Sequence, residues 1–160
     1  MRRLLLALLA CATLVPTLAR AGSVFELSAG SGIRWDPTPV DRIPTNLMLA
    51  GGYSFGVLKL ELGLVGNLSD VKNAKFDLDL RPMVVLKPPV IPFYLRGIAG
   101  VSGLIEGPTR LNYGGALGVR IGAAGLGAFL EAGVLSRRVK IEGSAKDSWI
   151  AEGRLGVYWD

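Results

Sequence analysis

The sequence predicts an all-β fold, an eight-stranded antiparallel up-and-down β-barrel. Three observations predict it: eight segments alternate apolar and polar residues with period two, Gly, Pro, Asn or Asp separate them, and no stretch of helical period competes in the body of the chain. Half the residues are apolar, 22 are glycine and only 19% are charged, a balance that suits tight turns around a crowded interior rather than a disordered linker.

Residues 1–21, MRRLLLALLACATLVPTLARA, read as a signal peptide: Arg2 and Arg3, a short apolar run broken by Pro16, then the small-x-small site Ala19-Arg20-Ala21. Leu8-Leu9-Ala10-Cys11 resembles a lipoprotein box, but cleavage there would leave an unusually short leader. Removing 1–21 takes the single cysteine away, which excludes disulfides and thiolate metal sites from residues 22–160. It also takes three arginines, so 18 basic and 13 acidic residues become 15 and 13, a net of +2. Nothing in that balance supports nucleic-acid binding.

The first strand is expected over 24–35, where Phe25, Leu27, Ala29, Ile33 and Trp35 alternate with Glu26, Ser28, Gly30, Gly32 and Arg34. The second, 46–55, sets Leu47, Leu49, Tyr53 and Phe55 against Asn46, Ala50, Gly52 and Ser54. In 57–68, Leu58, Leu60, Leu62, Leu64 and Leu68 oppose Lys59, Glu61, Gly63 and Asn67. The fourth, 74–86, places Phe76, Leu78, Leu80, Pro82, Val84 and Leu86 against Lys75, Asp77, Asp79 and Arg81; Pro82 predicts a bulge or an early strand end. The fifth, 93–104, opposes Phe93, Leu95, Ala99 and Val101 to Tyr94, Arg96, Gly100 and Ser102.

The sixth, 111–123, sets Leu111, Tyr113, Leu117, Val119 and Ile121 against Asn112, Gly114, Gly118, Arg120 and Gly122. In 126–139, Leu126, Ala128, Leu130, Ala132 and Val134 oppose Glu131, Gly133 and Arg137, with Phe129 and Leu135 breaking the pattern. The last, 148–159, opposes Trp149, Ala151, Leu155, Val157 and Trp159 to Ser148, Glu152, Arg154 and Gly156. Connectors alternate too: Gly56, 87–91 and 124–127 are short or proline-stiffened, whereas 36–44, 69–75, 105–110 and 140–147 are more polar and mostly longer. The two rims of the barrel therefore differ.

Alternation alone does not say which face meets water, since soluble barrels alternate as well. Three features predict a transmembrane barrel, with its polar face inside. The polar parity is crowded with glycine, as a narrow lumen requires. Aromatic residues of the apolar parity sit near strand ends, Phe25, Phe55, Phe93 and Trp159 at one rim and Trp35, Phe76, Tyr113 and Trp149 at the other, which matches two membrane interfaces. The segments run to ten residues or more, the length of a tilted membrane strand. Between the girdles the apolar parity carries no charge, and one Arg or Lys facing lipid at the midplane would cost roughly 2 to 4 kcal/mol.

With its leader, eight alternating strands, Tyr53-Ser54-Phe55-Gly56 at a tight turn and an aromatic-ended last strand, the chain resembles the small outer-membrane β-barrel family, the eight-stranded type of the outer membrane protein A transmembrane domain. The resemblance spans residues 23–160. It implies a bacterial outer-membrane location in contact with lipid and lipopolysaccharide, insertion by the barrel-assembly machinery, periplasmic termini and a monomer. Relatives usually end on the aromatic itself; here Asp160 follows Trp159.

Inside the barrel the expected polar network is Glu26, Arg34, Lys59, Glu61, Asp77, Asp79, Arg81, Arg96, Arg120, Glu131, Glu152 and Arg154. Counted from the rim holding the termini, Glu61, Arg81, Arg96, Arg120, Glu131 and Arg154 reach similar depth, with Glu152, Asp79 and Asp77 farther in. Desolvated guanidinium groups need partners, so these charges are expected to form a network that fills and plugs the lumen rather than stand alone. The alternatives are a narrow pore for small solutes or ions, and a soluble periplasmic barrel whose apolar row lines a ligand pocket. Catalysis is not expected: the chain has no histidine, on which the enzymes of this fold depend as base, and it offers neither a phosphate-binding glycine loop nor metal-ligand spacing, so no cofactor is implied.

Overall fold

The computed structural model describes residues 21–35, 41–68, 76–105, 109–141 and 144–160. The expected signal peptide, Ala21 apart, lies outside the described residues, as do Lys75 and much of the longer connectors. Eight strands form: β1 Ala21–Trp35, β2 Asp41–Phe55, β3 Leu58–Leu68, β4 Phe76–Leu86, β5 Phe93–Ser102, β6 Arg110–Ala123, β7 Leu126–Ile141 and β8 Ser144–Trp159. Each pairs antiparallel with the next, and β8 pairs with β1, so the sheet closes with no free edge.

Register fixes how the barrel is wound. From Gly115 one row runs through Gly97, Val84, Leu60 and Tyr53 to Ser23, and the other way through Val134 and Ala151 to Ile33. The row thus returns ten residues along β1 from where it left. For eight strands such a stagger tilts them by about 40° and leaves an interior that side chains alone can fill.

The tight turns share one rim. Gly56, at φ 70°, opens the β2–β3 turn, and the β6–β7 turn places both Ala124 (φ 52°) and Gly125 (φ 81°) in the left-handed region, as a type I′ hairpin demands. This turn rim also holds Ala21 and Trp159, the outer ends of β1 and β8.

The predicted bulge falls at a different proline. β4 runs through Pro82 without a break, pairing it with Leu62, and the register to β5 is the same on both sides of it. The Leu78 carbonyl accepts from the Leu104 amide on the β5 side; Pro82 lies an even number of residues away, so its missing N–H faces β5. There the ladder skips from Leu80 to Met83 and resumes. The register shift occurs instead between Gly30 and Gly32 of β1, opposite Pro44 and Thr45 of β2.

Strands also extend into expected loops: β2 begins at Asp41, and β7 and β8 continue as a hairpin until Ile141 faces Ser144. β5 stops earlier than expected, at Ser102, because Gly103 turns at φ 77°. Phe129 and Leu135 do not break the alternation either; both point inward with Glu131, as apolar members of the interior row.

Polarity is inverted relative to a water-soluble barrel. Leu60 is 47% exposed while its neighbour Glu61 is 5% exposed, and Leu27, Leu49, Leu117 and Leu155 repeat the pattern around the wall. Phe25, Phe55, Phe93 and Trp159 point outward at the turn rim, joined by Tyr53; Phe76, Tyr113 and Trp149 do so toward the opposite, loop rim. Trp35 is the register partner of Trp149. An apolar pocket inside a soluble barrel is incompatible with this, because the aliphatic row lies outside.

Candidate functional site: the ion-paired lumen

Period-two geometry delivers the charged side chains to the lumen, and the glycines beside them make room. A Cβ on Gly30 would lie 2.8 Å from Glu152 and 3.0 Å from Arg154, so only glycine leaves those two groups their place. The charges form two layers and a rim cluster, the cluster being joined to the nearer layer through Arg120.

In the layer nearer the turn rim, Arg96 meets three carboxylates: Glu26 at 2.6 Å, Glu131 at 3.1 Å and Glu61 at 3.3 Å. Arg120 also pairs with Glu26, and reaches Glu61 at 3.5 Å. Aromatic rings wall this layer. The Arg120 guanidinium lies 4.7 Å from the Tyr94 centroid and 4.8 Å from that of Tyr158, while Arg96 lies 5.5 Å from Tyr94 and 5.7 Å from Phe129. Tyr94 and Phe129 pack edge to face, and the Tyr94 hydroxyl donates to Glu131 at 2.8 Å.

The second layer lies deeper. Arg81 pairs with Glu152 at 3.0 Å and with Asp79 at 3.6 Å. Arg154 pairs with Glu152 and donates to the Asn46 side-chain oxygen and, at 3.1 Å, to the Ser28 hydroxyl; Asn46 in turn donates to Glu152 at 2.9 Å. Neutral polar groups thus share the load, and the apolar side chains of this part of the lumen are aliphatic: Met48, Val65, Met83, Ile98, Leu135 and Ile150 belong to one buried cluster. Arg81 and Arg154 therefore belong with Glu152 and Asp79, not with Arg96 as counting from the rim suggests.

The remaining predicted residues are more scattered. Lys59 is buried at the turn rim against Asp160. Asp77 accepts the backbone amides of Leu78 at 2.9 Å and Ile105 at 3.3 Å, tying β4 to the segment after β5. Arg34 is half-buried toward the loop rim. Sequence reading left Tyr94, Asn46, Ser28, Tyr158 and Asp160 out of the site. The first four carry the interior parity, which was signal enough; Asp160 lies past the last strand, where parity gives no guidance.

No known family profile and no curated protein sequence matches the chain. Solved structures do. Neisserial surface protein A aligns with a TM-score of 0.58 at 13% identity, over 87% of this chain and 97% of that one. This chain has the small outer-membrane barrel fold. The N-terminal β-barrel domain of Pseudomonas aeruginosa OprF aligns with a TM-score of 0.51 at 16% identity, over 86% of this chain and 97% of that domain. At such identities the small outer-membrane barrel fold is what is shared; the lumen has to be read from this chain's own residues.

Proposed function

We propose that the chain is an integral barrel of a bacterial outer membrane, non-catalytic and monomeric, whose lumen is plugged by its own ion pairs and whose role is structural. The proposal includes export by a cleaved leader, insertion by the barrel-assembly machinery, and contact with lipid and lipopolysaccharide. The observation that carries it is the complete burial of the Arg96, Arg120, Glu26 and Glu61 side chains in a layer drawn from β5, β6, β1 and β3. Groups lining a conducting path would keep water on one side, whereas these contact one another and the rings of Tyr94, Phe129 and Tyr158. The outward aliphatic belt supplies the reason for a membrane location: in water it would be an aggregating surface.

Membrane fractionation with heat-modifiable gel migration, followed by planar-bilayer recording of the purified barrel, tests this. The expected result is recovery with outer membranes, altered mobility when unheated, and no steady current. Recovery from the soluble periplasm would overturn the membrane reading, and a steady ion current would replace the plug with a narrow pore.

A further inference from the structure

At the turn rim three cations converge on one carboxylate. Lys59 Nζ pairs with Asp160 Oδ2, and that same oxygen lies 4.0 Å from Lys87 Nζ and 4.0 Å from Arg120 Nη1. The Tyr158 ring forms the floor, with its centroid 5.9 Å from Lys59, 5.6 Å from Lys87 and 4.8 Å from the Arg120 guanidinium. Lys59 is 2% exposed, and an ammonium so buried needs an anion. Among the described residues, Asp160 is the one carboxylate that pairs with Lys59 or Lys87. Arg120 commits Nη2 to Glu26 and Glu61, while its buried Nη1 has no hydrogen-bond partner and points toward the Asp160 carboxylate.

We propose that this mouth of the lumen is an oxyanion-binding site, built from Lys59, Lys87 and Arg120, whose resident occupant is the carboxylate of Asp160. Lys59 and Lys87 set two ammonium charges against the single side-chain carboxylate of Asp160, with the buried Arg120 Nη1 facing the same oxygen, and the site is reachable, since the Asp160 and Lys87 side chains are 20% and 26% exposed. Asp160 is held by its backbone amide, which donates to the Gly125 carbonyl at 2.8 Å, so its side chain can swing aside while the strand end stays in place. A tethered carboxylate competes at an effective concentration on the order of millimolar, so a free phosphate-class anion displaces it only when abundant. The ligand chemistry is that of a phosphate monoanion or dianion, free or carried on a lipid headgroup. Nothing in the site requires the lumen to conduct.

Calorimetric titration of inorganic phosphate into the full chain, folded in neutral maltoside micelles at low ionic strength, tests the assignment. Asp160→Asn should bind phosphate at least ten-fold more tightly than wild type, and adding Lys59→Gln should abolish the gain. Equal affinity in wild type and Asp160→Asn, or a gain that survives Lys59→Gln with Lys87→Gln, overturns the site. Should Asp160→Asn fold poorly, its thermal midpoint on heat-modifiable gels replaces calorimetry. Phosphate must then raise that midpoint more than chloride at equal ionic strength, and equal effects overturn the site. Doping the micelles with phosphatidylglycerol separates the sources: Lys59-dependent loss of phosphate binding identifies a headgroup, and undiminished binding a free anion.

Discussion

The two charge layers of the lumen solve one problem with different materials. Near the turn rim, two arginines face three carboxylates and are walled by the rings of Tyr94, Phe129 and Tyr158. Deeper in, two arginines face two carboxylates, with Asn46 and Ser28 as neutral partners and methionines around them. In the first layer each ion serves several others among aromatic rings; in the second the bonds overlap among neutral polar partners and unbranched methionines. Damage should therefore be expensive in the first and absorbed in the second.

The largest effect is expected from Arg96→Ala, which leaves Glu26, Glu61 and Glu131 with Arg120 as the guanidinium nearby. We expect a loss of about 3–5 kcal/mol, measured as the urea midpoint of unfolding from lipid vesicles. Arg154→Ala should cost less, roughly 1.5–3 kcal/mol in the same assay, because Glu152 keeps Arg81 and Asn46. An equal or larger loss would erase the distinction between the layers.

Adding a methyl group to each layer's floor sharpens the contrast further. A Cβ on Gly118 would overlap the Tyr94 ring, so Gly118→Ala should destabilise by about 1–3 kcal/mol. On Gly63 the nearest atoms are Met83 Cε at 3.0 Å and Met48 Sδ at 3.1 Å, both ends of flexible chains, and Gly63→Ala should cost less than about 1 kcal/mol. The reverse order would show that the aromatic layer, not the methionine layer, is the one that yields.

Much of this was legible in the sequence because a strand's alternation is independent of its surroundings. Leu60 outside and Glu61 inside follow from parity and a charge-free apolar row. The grouping of charges was not legible. Arg154 lies opposite Glu131 in register yet turns over Gly30 toward Asn46 and Glu152, a choice made by the space beside it rather than by its depth. The bulge was misplaced for a related reason. Pro44 falls in the expected 36–44 connector, which β2 in fact enters from Asp41, and only the pairing shows that Pro82's missing N–H faces the gap in the β5 ladder.

Glu26 stands on the first strand, but its partners Arg96 and Arg120 arrive 70 and 94 residues later. An incompletely curled sheet would hold Glu26, on its edge strand, apart from both arginines, and the carboxylate would have to keep its hydration. Arg96 and Arg120 find Glu61 and Glu131 within β3 to β7, but Glu26 gains its partners only when β1 is brought round to them. If the chain enters a bilayer as proposed, electrostatics disfavours a half-inserted intermediate in which Glu26 has not yet met its arginines.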